Sequence, residues 1–172
     1  MMALGNIKGE GTMDTRTDQQ YPKLNEVFEL TLDGDASENT PIGMVKAFGY
    51  NPDGWPHNGQ VVEGTQAKRF KLVQNGYQPN WEAVKKALEE YGPTPEGQWM
   101  KAFKDAYPTP DGKGCVGIAD ASWVSPLGFV CFPFVGADGE PGFRFSAVVI
   151  YVRWRWLVPA DEVTTIVGFR VS

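Results

Sequence analysis

Histidine and cysteine are scarce in this chain, with one His and two Cys among 172 residues. A lone His57 excludes a histidine-rich metal centre, and Cys115 and Cys131 stand too far apart to form a zinc knuckle. Two cysteines make no disulfide framework either. Both lie in apolar runs and read as buried free thiols. Long hydrophobic stretches are missing too. The longest, Ala147 to Val152, is far too short to span a bilayer. Met1 to Leu4 leads into Gly5 and polar residues rather than an apolar core, so no secretory signal is read. The expectation is a chain made in the cytoplasm, without membrane contact. Basic charge is also in deficit. Sixteen Lys and Arg against 21 Asp and Glu give a formal charge of −5, which disfavours a general nucleic-acid binder but not a local basic patch. There is no G-x-S-x-G nucleophile elbow, no internal repeat and no low-complexity tract.

Turn formers and aromatics are plentiful. Twenty Gly and 13 Pro imply many turns, and aromatics at 13% favour strands, cores and interfaces. Residues 1–23 hold little that could form a core and read as an extended arm that would order only against a partner. Leu24 to Asp33 alternates as a strand with one wet face, Ile42 to Tyr50 reads as a second, and Gln60 to Glu63 and Lys68 to Gln74 as shorter ones. Asn80 caps a helix whose stripe is Trp81, Val84, Leu88 and Tyr91, ended by Gly92-Pro93. Thr94 and Pro95 then open a second helix with Trp99, Phe103, Ala106 and Tyr107 on one stripe. The C-terminal half reads as strands over Cys115–Ala119, Gly128–Val135, Gly142–Leu157 and Val163–Val171. Pro133 marks its strand as an edge or a bulge.

The run Gly142 to Leu157 is apolar on both faces through its middle and predicts one long central strand, packed by the two helices on one side. The expected fold is α+β. A mainly antiparallel sheet carries a two-helix insertion at about 81–91 and 95–107, in a single domain over 24–172 preceded by the arm over 1–23.

Candidate chemistry is thin. Gly112-Lys113-Gly114-Cys115-Val116-Gly117 matches G-x-G-x-x-G, but prolines precede it and a strand follows, so it reads as a glycine-rich turn. Asp33, Asp35 and Ser37 have calcium-loop spacing, yet Glu38 stands where Gly belongs and Met44 where Glu belongs. No catalytic residue, cofactor or metal is expected. The aromatic–arginine alternation at Arg144, Arg153, Trp154, Arg155 and Trp156 reads either as a protein interface or as an Arg-lined face beside a buried Trp face. Trp55, His57, Trp123 and Asp120, in turn-rich loops, are ligand-loop candidates of the kind that stack on sugars.

Val167-Gly168-Phe169-Arg170-Val171 resembles the Gly-Phe-Arg strand that closes the formylglycine-generating-enzyme fold. Val116-Gly117-Ile118-Ala119-Asp120 resembles the strand after the second helix of C-type-lectin-like domains, and the helix-then-strand order is similar. The likeness covers the last third of the chain. The disulfide pattern of secreted lectins and the catalytic cysteine pair are both missing, so it implies a binding scaffold rather than that family's activity. The leading expectation is a structural or interaction subunit of a homo-oligomeric assembly. Its concrete form is a phage or viral virion protein, a capsid decoration or tail component whose arm docks on copies of itself and other subunits. The alternative is a carbohydrate- or ligand-binding domain of C-type-lectin-like type.

Overall fold

Alternation builds the first hairpin. In β1, Phe28–Asp33, Leu30 and Leu32 are buried while Glu29, Thr31 and Asp33 are exposed. It pairs antiparallel with β2, Thr65–Val73, with Phe28 opposite Phe70. The structure is a computed structural model describing residues 20–147, 150 and 152–160. The remaining strands are β3 (Val116–Gly117), β4 (Trp123–Val124), β5 (Val130–Val135), β6 (Pro141–Phe145) and β7 (Arg155–Pro159). Among the described residues the helices are α1 (Pro41–Ala47), α2 (Trp81–Leu88) and α3 (Trp99–Ala106).

All seven strands join one mixed sheet, so the fold is α+β with a sheet-dominated core. Its order is β1-β2-β7-β3-β5, with β4 beside β3 on one flank of β5 and β6 on the other. The β3–β7 pair is parallel and the other strand pairs are antiparallel. β7 is central, between β2 and β3, and its side chains divide between the two faces. Leu157 joins the cluster of Leu30, Phe70, Trp99, Phe103 and Trp123. Trp156 and Val158 join Val73, Val84, Leu88 and Phe132.

That division corrects two expectations. The helices do not share a side. α3 packs with the first cluster and α2 with the second, because a central strand apolar on both faces needs cover on both. The run 142–157 is also not one strand. It breaks after Phe145 into β6 at the edge and β7 in the centre. Within the apolar middle of the expected strand, Ile150 is buried and makes an isolated bridge to Gln78, whereas Val152 is exposed.

Other differences have local causes. Ile42–Tyr50 is largely helix α1, where Thr40 accepts a hydrogen bond from the Gly43 amide at 3.0 Å and Pro41 takes the first turn. The second expected helix begins at Trp99, not Pro95, and Thr94 is not its cap. Gln98 precedes it with its side chain turned inward, fully buried, accepting from the Val62 amide at 2.8 Å and donating to the Asn39 carbonyl at 2.7 Å. These bonds hold Val62 outside any strand, so the short strand expected at 60–63 is a loop. Asn80 does cap α2, accepting from the Ala83 amide at 2.9 Å. Pro133 lies inside β5, opposite Phe143 of β6. On its other flank the ladder is interrupted between β3, which pairs with residues 134 and 135, and β4, which pairs with 130 and 131, and the Pro133 carbonyl accepts from the Ile118 amide at 3.3 Å. The strand expected at Val163–Val171 and residues 1–19 of the expected arm lie outside the described residues. Of the arm's last residues, Tyr21 and Pro22 are buried, and Leu24 bridges to Leu72 of β2.

Candidate functional site

The expected interface residues scatter. Trp154 and Trp156 are buried, with rings 5.8 Å apart, packed around Phe132 in the core. Arg144 is half-buried over the Trp154 ring at 5.2 Å. Arg155 is only 4% exposed. Its two terminal nitrogens grip both oxygens of Asp111 at 2.8 and 2.9 Å, and one of them also donates to the Gly114 carbonyl at 2.8 Å. Only Arg153 is exposed, reaching the Gly112 carbonyl at 3.4 Å. The basic-aromatic end of the run is therefore mostly interior, because β7 is a central strand. A bidentate pair with further hydrogen bonds makes burial of Arg155 tolerable.

The ligand-loop tryptophans are interior too. Trp55 packs on Tyr50 and Phe143, both at 5.3 Å. Trp123 is fully buried and donates through Nε1 to the Pro41 carbonyl at 3.0 Å. The structure does bring His57, Trp123 and Asp120 together. The His57 ring lies 4.5 Å from that of Trp123, and its pKa is pushed down by burial, against an opposing pull from the Asp120 charge. Asp120 accepts from the Gly97 amide at 2.7 Å and from the Ser122 hydroxyl. Its oxygens thus tie its own loop to the one that carries Gly97. The serine hydroxyl donates directly to the carboxylate.

The sequence motifs resolve into turn chemistry. Asp35 accepts from the Gly64 amide and Asp33 from the Asp35 amide, so the calcium-like spacing serves the backbone. In the glycine-rich turn the Gly112 and Gly114 carbonyls face the two arginines, whereas a phosphate cradle would present amides. A Cβ on Gly114 would collide with the Arg153 carbonyl oxygen. Among the described residues, no cluster of three or more His, Cys, Asp or Glu could hold a metal ion, and no helix is long and apolar enough to cross a membrane.

Two surfaces that the sequence did not single out remain. One is an apolar tip. Leu127 is 83% exposed, and Phe129, Val130 and Phe145 are each more than two-fifths exposed. The Phe129 and Phe145 rings stack at 4.5 Å. The tip is rigid. Gly128 donates to the Ser125 carbonyl at 2.8 Å, and Phe129 donates to the Ser125 hydroxyl at 3.1 Å. The other is a cleft of about 1040 Å³ walled by Tyr21, Pro22, Leu24 and Pro110, with Lys23, Lys113, Arg153 and Arg155 beside one carboxylate, Asp111. Arg155 sits 5.5 Å over the Tyr21 ring. Burial pushes the Tyr21 hydroxyl up to about 12, with Arg155 opposing and Asp111 and Cys115 adding to the rise. Burial would also raise the Asp111 carboxyl. Hydrogen bonds from Arg155 and the Lys113 amide, with the charges of both side chains, hold it below its ordinary value. Neither Tyr21 nor Asp111 carries a sequence signal beyond its place in a polar, turn-rich stretch. No protein-family model, curated protein or solved structure matches this chain.

Proposed function

We propose that the chain is a non-enzymatic interaction subunit that associates with copies of itself through the apolar tip. The carrying observation is the stacked Phe129–Phe145 pair, flanked by Leu127 and Val130, all exposed on a turn and strands that are otherwise well bonded. Soluble monomers rarely leave contiguous aromatic and aliphatic side chains in water, and such patches mark association sites. A second copy is the favoured occupant because one patch facing its twin across a two-fold axis buries both at once. A virion decoration or tail component is the concrete form of this reading. It draws on the aromatic-rich β structure and on the polar 1–23 segment expected to dock on neighbouring subunits.

Sedimentation equilibrium of the wild type against a Leu127→Asp/Phe145→Ser variant tests the proposal. The wild type is expected as a dimer or larger, and the variant as a folded monomer. A wild type that stays monomeric at tens of micromolar, or a variant of unchanged mass, overturns it.

The ligand-binding alternative draws its support from the cleft, not from the loops. Trp55 and Trp123 are 7% and 0% exposed, so neither ring is free to stack on a sugar.

A further inference from the structure

We infer that the cleft beside Tyr21 is a binding site for a small phosphate monoester with an apolar body. This goes beyond self-association and does not depend on it. Four cationic side chains and a single carboxylate line the cleft in a chain whose net charge is −5. Asp111 is already committed to Arg155 by two short bonds. Lys23, Lys113 and Arg153 belong to no ion pair among the described residues, and all three are exposed. Among the described residues, three cationic side chains beyond the Arg155–Asp111 pair border one opening. A dianion answers that field better than a single carboxylate, and Arg153 offers the planar fork that suits phosphate oxygens.

Apolar groups share the lining with the charges. Tyr21, Pro22, Leu24 and Pro110 supply a ring, two prolines and an isobutyl group, and the volume admits a ligand of ordinary size. Leu24 is 44% exposed, so the cleft offers apolar surface to the ligand's body. The floor is preorganised. Arg155 is fixed by Asp111 and the Gly114 carbonyl, and Tyr21 packs at 5.1 Å against Phe103 of α3. Lys113 and Arg153 are brought together because the Gly112 carbonyl, next to Lys113, accepts from Arg153. The glycine-rich turn thus serves an anion through its neighbouring side chains and not through its amides.

Titration calorimetry of the full chain at low salt tests this, with phenyl phosphate and inorganic phosphate as probes. Phenyl phosphate is expected to bind saturably and at least threefold more tightly than inorganic phosphate. The Lys113→Glu/Arg153→Glu variant, changed only at exposed side chains, is expected to weaken it tenfold or more. Lys86→Glu, on the exposed side of α2 away from the cleft, is expected to leave it within twofold. Circular dichroism checks that each variant is folded. The inference falls if phenyl phosphate does not saturate, if inorganic phosphate binds equally well, or if Lys86→Glu weakens binding as much as the double variant does. Phosphate binding by a protein that sediments as a monomer would sustain the cleft while overturning the tip, so the two proposals fail separately.

Discussion

Arg155 shows how far a single residue's role depends on which strand carries it. In the chain it stands between two tryptophans and looks like an interface anchor. In the fold it is a buried cation whose charge is met by Asp111, 44 residues earlier. Removing one partner of such a pair leaves the other uncompensated in the interior. Asp111→Asn is therefore expected to cost about 3 kcal/mol in urea unfolding at neutral pH. The sign with pH follows from the depressed Asp111 carboxyl. The folded state favours its ionised form, so the stabilisation is complete above the unfolded value of about 4 and is lost as pH falls through the lower folded value. The gap between wild type and Asp111→Asn should therefore close on acidification. A gap that stays constant between neutral pH and about pH 3 would show that the carboxylate's charge is not what stabilises the pair. His57 adds to acid sensitivity in the same direction. Its lowered pKa means the folded state prefers the neutral ring, and protonation below about 6.5 works against folding.

At the scale of elements, local signals were legible where local chemistry decides. Asn80 caps α2, and of the Trp99, Phe103, Ala106 and Tyr107 stripe, which ends on the residue after α3, all are buried except the half-buried Ala106. The Thr40-Pro41 start of α1 carries the same kind of signal, but the apolar run behind it has the look of a strand. Where distant groups decide, the chain was silent. Gln98 looks like a polar residue in mid-helix, yet it bonds Val62, 36 residues away, and Asn39, 59 away. That clamp fixes where α3 starts and holds the loop over it. Gln98→Ala strands a buried amide and weakens both ties, so a loss of about 2–3 kcal/mol is expected. Thermal unfolding of the variant checks it. A change within about 0.5 kcal/mol would mean that water replaces the amide at no cost.

For the whole molecule, composition foretold an α+β protein but not its layering. Two helices with apolar stripes and a strand apolar on both faces are compatible with one-sided or two-sided cover. Only the alternation of Leu157 with Trp156 and Val158 between clusters settles that α2 and α3 lie on opposite faces. The candidate site was less legible than the fold. Tyr21, Asp111, Lys113 and Arg153 meet only after β7 is set between β2 and β3, and no spacing rule links residues 21, 111 and 153.

The central place of β7 has a consequence for synthesis. β1 and β2 leave the ribosome early, while the strand that pairs with the far edge of β2 is made more than 80 residues later. Until residues 155–159 emerge, β2 has an unpaired edge and the two apolar clusters have no shared wall. The sheet must therefore close late, and the nascent chain carries an open edge while more than 80 further residues are made, the situation in which chaperones are needed. A chain stopped after residue 154 should remain protease-sensitive and without a cooperative unfolding transition. If that fragment resisted protease like the full chain, closure by β7 would not be the step that completes the fold.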